Sequence, residues 1–476
     1  MIAGIKPYPT MKDSGLAWLA HIPEHWQVIR GKTLFRCIDV RSTTGKEELL
    51  TVSSDRGIVP RLSATVTMFK AESYVGYKLC WPGDLVINSL WAWARGLGVA
   101  RQHGIVSSAY GVYRLHPEYA DYSEYVHHLV RSMPFNWELQ VRSKGIWISR
   151  LQLTDDAFLG APFPVPPPTE QAAIVRFLDH ADRRIRRYIR AKQKLIKLLD
   201  EQKQAIIHRA VTRGLDPNVC LKPSGMEWLG DAPAHWQVVR LKYVASHIVD
   251  CLHATPMYSD TGQFPAIRTA DISPGVVRVG SARRVDETIY HRWTERLEPV
   301  AGDILYSREG ERFGIAACVP NDTSLCISQR MMIFRLRPEH NSLFVMWLLN
   351  SSQVYAQANQ DVMGSTAPHV NVSTIRNFTF AVPLRDEQDK LVDYIGRATR
   401  RLVQMIEDAQ SEIDLLREYR IRLIADVVTG KIDVRESAER LPELQEPEPI
   451  DDGEAETDLE EAATEGAAET PEEVEA

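Results

Sequence analysis

The sequence predicts an α+β chain built twice. Two homologous mixed α/β modules in pseudo-two-fold arrangement are expected, separated by an antiparallel coiled coil of two long helices and followed by a disordered acidic tail. Three observations carry this: a repeated lead-in, a repeated helix entry with heptad periodicity behind it, and a charge break near residue 436. The boundaries that follow are 1–168 for the first lead-in and module, 169–213 for the first long helix, 214–385 for the second lead-in and module, 386–429 for the second helix and 436–476 for the tail. A length of 476 residues calls for more than one core in any case.

The lead-in comes first. Residues 13–30, DSGLAWLAHIPEHWQVIR, and 223–240, PSGMEWLGDAPAHWQVVR, are identical at ten of eighteen positions at an offset of 210. Internal repetition of this strength fixes the organisation of a chain more firmly than any single motif. The two tryptophans of each copy, Trp18 and Trp26, Trp228 and Trp236, are expected to pack, since large aromatics dominate burial. Met11 opens the shared run, so residues 1–10 stand as an extension or a start placed too early.

Between lead-in and helix, residues 31–165 and 241–382 mix strand and helix signals in the same order. Strands are expected at Asp84–Ile87, Gly111–Leu115, Asp303–Tyr306 and Met332–Leu336, and helices at Ser123–Ser132 and Ser342–Asn359. The frame repeats while the side chains diverge, as two modules reading different things would require.

The long helices follow a second repeat at an offset of 217. Pro166-Pro167-Pro168-Thr169-Glu170-Gln171 matches Pro383-Leu384-Arg385-Asp386-Glu387-Gln388, with Thr169 and Asp386 as candidate N-caps. Behind them Ile174, Leu178, Ile185, Leu195, Leu199 and Ile206, and Leu391, Ile395, Leu402, Leu416 and Leu423, form two heptad seams that need a partner seam for burial. Each helix closes on a glycine, in VTRGLD and VTGKID. About 40 residues at 1.5 Å each make a rod of roughly 60 Å. A two-fold relation between halves makes the two rods antiparallel.

Charge separates the tail from the body. Residues 436–476 hold 17 Asp or Glu and one basic residue, Arg440, leaving 55 Lys and Arg against 46 Asp and Glu in residues 1–435. The overall balance of −7 therefore conceals a basic body, the sign expected where phosphates are met. The tail is poor in residues that build a core, and solubility or competition with DNA are its two readings.

Other chemistry is excluded motif by motif. No stretch is long and apolar enough for a bilayer and no signal peptide opens the chain, so a cytoplasmic protein is expected. The six cysteines are scattered without a C-x-x-C pair, which speaks against zinc and disulfides alike. His21 and His25 flank Pro23, which bars a zincin-type helix. There is no phosphate-binding G-x-x-x-x-G-K-[ST], no amine-methylation [DNS]-P-P-[YFW], no Pro-Asp nuclease signature and no G-x-S-x-G. The Gly96-Leu97-Gly98 triplet reads as a turn. Catalytic and metal residues are thus expected to be absent, and no cofactor is expected in this chain.

What remains are basic, polar and aromatic side chains on loops. In the first module these are Trp91, Trp93, Arg95, Arg101, Arg142, Lys144, Trp147 and Arg150. In the second they are Arg268, Arg283, Arg284, Arg308, Arg312 and Arg330, with Ser365, Thr366, His369 and Asn371 on the loop GSTAPHVN. Arginine forks can bridge guanine N7 and O6, and either cation can neutralise phosphate. A solvated salt-bridge surface would have the same composition.

The lead-in S-G-x-x-W-L-x-x-x-P-x-H-W, the loop G-S-T-x-P-H-V-N, the Glu-Gln helix entry and the V-T-x-G-x-D exit together resemble the DNA specificity subunits of type I restriction-modification systems. The resemblance spans residues 11–433. It implies a non-catalytic subunit in which each module is a target recognition domain for half of a split double-stranded DNA site. It further implies two adenine methyltransferase subunits and two restriction and translocase subunits as partners, acting in DNA methylation and host defence. S-adenosylmethionine, ATP and magnesium would reside on those partners. The first half departs from the family pattern at Ser143-Lys144-Gly145, and the acidic tail lies outside it. A stand-alone DNA-binding scaffold or regulator, or an enzyme with a divergent site, would also accommodate the residues alone.

Overall fold

The computed structural model describes residues 6–54, 56–63, 73–145, 151–362 and 368–442. The chain divides into two units, residues 1–187 with 416–476, and residues 188–415.

The first unit is built on an antiparallel sheet in the order Phe35–Cys37, Gly111–Leu115, Leu85–Ile87, Leu97–Val99. The second unit repeats that order with Ala245–Asp250, Met331–Leu336, Ile304–Ser307 and Ala316–Cys318. The four strands expected from sequence are all present, shifted by a residue at most at either end. In each unit a strand of the lead-in pairs with the strand just ahead of the long helix, Gln27–Arg30 with Pro162–Val165 and Gln237–Arg240 with Thr379–Val382. This closes each module on itself before the helix leaves it. The helix expected over Ser342–Asn359 is two helices, Ser342–Leu349 and Ser352–Val362. The break falls at Asn350, whose side chain leaves the helix to grip both backbone groups of Ala316, 3.0 Å and 2.8 Å away.

The long helices run Pro168–Arg213 and Arg385–Val428. Each begins one residue earlier than its expected cap, so Thr169 and Asp386 lie in the first turn. Gln171 and Gln388 instead turn back and donate to the carbonyls of Pro166 and Pro383, at 2.7 Å and 2.9 Å. The two helices pack on each other. In the first unit Ile174, Phe177 and Leu178 share a core with Leu423, Val427 and Val428. In the second, Ile207, Ala210 and Val211 share one with Leu391 and Ile395. The start of one helix thus meets the end of the other in both units, which is the antiparallel course.

The seam departs from the strict heptad. Ile174, Leu178, Ile185, Leu199, Leu391, Ile395, Leu402 and Leu423 are buried, but Leu195 is exposed and Ile206 and Leu416 are only half-buried. Ile207 and Ile413 are the buried residues there. An undistorted helix turns every 3.6 residues and drifts about 20° per heptad away from a 3.5 repeat, so the buried stripe moves on by one position over the length of these helices.

Two expectations about the chain ends are corrected. Residues 6–10 belong to the fold: Lys6 bridges Asp433 and Tyr8 is buried in the first core. The tail begins later than residue 436, because Arg435–Glu439 form a helix whose Ala438 is buried, and Leu441 packs beside it with its carbonyl held by Arg176 at 2.6 Å. Ala438 and Leu441 supply the apolar area that the rest of the tail lacks. Residues 443–476 lie outside the described residues.

Candidate nucleic-acid interface

Each module is anchored by the same junction. Trp26 is fully enclosed, and its indole Nε1 donates to Glu170 Oε1 at 2.8 Å while His25 Nε2 lies 2.7 Å from Oε2. In the second unit Trp236 and His235 address Glu387 in the same way, at 3.1 Å and 2.9 Å. Lys12 and Lys222 cap the carbonyls of Trp26 and Trp236. A buried carboxylate is tolerated only when its oxygens are occupied by donors, and here the repeated lead-in supplies them. The first junction is the more elaborate, with Tyr8 also donating to Glu170 and Arg435 stacked over the Tyr8 ring.

A second repeated device sits in the sheet. Arg114 grips Asp84 with two nitrogens at 2.7 Å and 2.8 Å, and Arg335 grips Asp303 at 2.9 Å and 2.7 Å. Both aspartates are buried, and hydrogen bonding to the carboxylate pushes each arginine above its ordinary value despite partial burial. These pairs fix the turn that enters the central strand. The sequence carried the signal, an Asp after a turn glycine and an Arg in the partner strand in both halves, but neither was among the candidate residues. They are scaffold.

On this frame the loop after the central strand is stitched to the segment ahead of the last short helix. In the second module Arg308 N and Gly310 N donate to the carbonyls of Arg330 and Pro368, Val370 N donates back to Arg308, and Glu309 bridges His369. Arg312 reaches the carbonyl of Ile272 at 2.8 Å. Arg308, Arg312, Arg330 and His369 are therefore gathered at one end of the sheet, whereas Ser365 and Thr366 lie outside the described residues. Arg312 and Arg330 are exposed, and Arg330 adopts φ 69°.

The gathered residues do not share one role. Arg308 is buried, paired to Asp250 at 2.5 Å and Glu309 at 2.8 Å, so it holds the loops together from below. His369 Nδ1 rests on Glu309 at 3.1 Å with its ring half in solvent. Asn371 is held by Asp361 at 3.0 Å, and although burial would raise that carboxyl, its bonds to Asn371 keep it below the ordinary range. Arg268 is paired to Asp271 at 3.1 Å.

In the first module Leu153 N donates to the carbonyl of Ser89, and Lys144 bridges Gln152. This places exposed Lys144 next to the 88–96 loop that carries Trp91 and Arg95. Trp91 is exposed, and Arg95 ends a short 3-10 turn with φ 61°. Arg101 is not part of this group: it follows the other end of the same hairpin, paired to Glu124 at 3.2 Å. Arg142 is tied to Glu138 one helical turn away, at 2.6 Å. Trp147 and Arg150 lie outside the described residues. Among the described residues no cluster of three or more His, Cys, Asp or Glu is placed to hold a metal, and no helix is long and apolar enough to cross a membrane.

Comparison with known proteins agrees with this architecture. The family model described as the type I restriction modification DNA specificity domain matches residues 233–414. No curated protein matches the chain. Among solved structures, a chain from work on the structural basis underlying complex assembly and conformational transition of the type I R-M system is 17% identical, with 86% of this chain and 98% of that one covered and a TM-score of 0.57. The HsdS subunit of Thermoanaerobacter tengcongensis is also 17% identical over 86% and 98%, with a TM-score of 0.42, and the type I S subunit of M. genitalium is 12% identical over 85% and 96%, at 0.34. The matched domain lies in the second half of the chain, and the order of its four-stranded sheet is repeated in the first.

Proposed function

We propose that this chain is the non-catalytic specificity subunit of a type I restriction-modification complex. Each module reads one half of a bipartite double-stranded DNA target, and the long helices set the gap between halves. The observation that supports this reading best is one sheet topology used twice with different side chains on equivalent loops: Trp91, Arg95 and Lys144 in one, Arg312, Arg330 and His369 in the other. Exposed arginine suits bidentate contact with guanine and lysine suits phosphate. The ion-paired Arg268 and Arg308 position those loops rather than read bases. In this reading two adenine-N6 methyltransferase subunits and two restriction subunits dock on the chain, and S-adenosylmethionine, ATP and magnesium are theirs.

Co-expression with the neighbouring methyltransferase gene, followed by mapping of N6-methyladenine across the genome, tests this. The expected result is a split motif with a fixed gap that disappears when this gene is deleted. Exchange of residues 36–165 for the corresponding module of a relative is expected to change one half of that motif and leave the other intact. A stable complex that methylates no split motif would favour a stand-alone DNA-binding scaffold.

A further inference from the structure

The first long helix carries a second stripe besides its apolar seam. Arg176, Arg183, Arg187, Arg190, Lys194 and Lys197 follow one another at intervals of seven, four, three, four and three residues. At about 100° per residue these six fall within about 80° of arc, roughly opposite the seam. All but Arg176 are exposed. The carboxylates of the two helices that pair with this segment are committed elsewhere: Asp182 to Arg186 and Arg420, Asp200 to Lys203, and Glu412 to Lys192. Arg183 rests on the carbonyl of Asp179 in its own helix. Among the described residues no ion pair reaches Arg187, Arg190, Lys194 or Lys197. His180 lies on the same face, and burial together with the charges of Arg184 and Arg183 holds it below its ordinary value.

The duplication shows that the fold does not need this stripe. At the offset of 217 the matching residues of the second helix are Asp393, Arg400, Gln404, Glu407, Ser411 and Asp414. A single cation stands there against six on the first helix. Both helices bury the same kind of seam, so the cations are an addition made to one of them.

A segment of opposite charge begins where the stripe begins. Residues 443–476 hold 15 Asp or Glu and no Lys or Arg. They follow directly on Leu441, which packs on the first core and whose carbonyl accepts from Arg176, the first member of the stripe, at 2.6 Å. From Arg176 to Lys197 the helix rises about 32 Å. A polypeptide of the length of 443–476 spans about 30 Å as a coil and more than about 100 Å when extended, so the segment covers the stripe in either case.

We propose that residues 443–476 dock along this stripe as a tethered polyanion and cover it against other polyanions, duplex DNA included. Each exposed ion pair is worth little and is screened by salt, but tethering raises the effective concentration into the millimolar range, where many weak pairs suffice. A contact built this way is held in the free chain and yields to a stronger polyanion. It stands whether or not the modules read a split DNA site, because it is scored without DNA.

The test is zero-length carbodiimide cross-linking of the full chain at low salt, with the linked peptides mapped by mass spectrometry. Lys192 and Glu412, 2.6 Å apart, serve as the internal standard. Links from residues 443–476 to Lys194 and Lys197 are expected within single chains, and are expected to disappear in molar salt. A full-length variant with the 15 carboxylates of 443–476 changed to amides is then compared with the parent for binding of an unrelated DNA duplex. Its affinity is expected to be about tenfold higher, as release of a weakly held tethered competitor gives. Adding Arg187→Gln, Arg190→Gln, Lys194→Gln and Lys197→Gln is expected to cancel most of that gain while changing the parent little. These four side chains are exposed, so the variant is expected to melt as the parent does. The proposal is overturned if the acidic segment links to Lys6, Lys32 or Lys144 in preference to Lys194 and Lys197, or if it links to no lysine of its own chain. It is equally overturned if the gain in duplex affinity survives loss of the stripe, which would make the acidic segment a matter of net charge alone.

Discussion

Glu170 and Glu387 occupy equivalent positions but different environments, and that difference predicts different energetic weights. Glu170 is enclosed and accepts from Tyr8, His25 and Trp26, whereas Glu387 is partly open and, among the described residues, its carboxylate serves His235 and Trp236. Replacing Glu170 by Ala strands the buried indole and phenol donors, at a cost of about 2–3 kcal/mol. Glu387→Ala is expected to cost clearly less, because water reaches its partners, and chemical denaturation of the two variants gives the order directly. The exit glycines make a parallel case. Gly214 and Gly430 both adopt left-handed φ, +72° and +73°, but a Cβ on Gly430 would stand 2.4 Å from Pro23, while one on Gly214 would meet Trp236 at an ordinary 3.5 Å. Both Ala variants pay for the backbone conformation, about 1 kcal/mol. Gly430→Ala must also displace Pro23, so its midpoint should fall further; equal losses would contradict the packing described. Both junctions were half legible in sequence: the shared Trp, His and Glu were visible as repeats, and their burial was expected for the tryptophans. That the repeats are partners of one another was not, since 144 residues separate Trp26 from Glu170 and nothing local links them.

The long helices show what periodicity alone can and cannot supply. Their existence, extent and antiparallel course followed from two matched motif pairs and a stripe of apolar residues. The identity of the buried residue in the middle did not, because a heptad template is a 3.5 repeat imposed on a 3.6 helix, and Leu195 and Ile206 were its casualties. A polar element of the same seam was likewise invisible. Asp182 on the first helix is paired with Arg186 one turn on and with Arg420 on the second. Burial pulls its carboxyl upward, but Arg420 and Arg186 outweigh it and hold the group below the ordinary carboxylate range. A depressed value means that the native state resists protonation, so this pairing stabilises fully above the ordinary carboxylate value and is lost as pH falls below it. Urea unfolding at about pH 5 and about pH 3 is therefore expected to show a smaller acid loss for Asp182→Asn than for the parent. An identical loss in both would assign the acid sensitivity to other carboxylates.

At the scale of the whole chain, duplication is what made the fold readable, and divergence is what left the candidate site hard to read. The scaffold repeats down to single ion pairs, Asp84 with Arg114 and Asp303 with Arg335, because both copies must close the same sheet. The loops beyond it share a stitching pattern but few side chains, so candidates chosen by residue type mixed exposed groups such as Arg312 with buried braces such as Arg308. If each unit reads one half-site, the two helices that run from one unit into the other are the element whose length sets the gap. Seven residues added to each helix within 189–196 and 402–409, in register with the seam, lengthen both by about 10 Å, close to the rise of three base pairs. The rotation that accompanies this is only about 20°, so the modules should still engage the same duplex. Methylation mapping of the lengthened chain is then expected to return both original half-sites with about three more base pairs between them. An unchanged gap would mean that the helices do not act as a spacer, and loss of one half-site alone would show that the insertion had damaged a module rather than moved it.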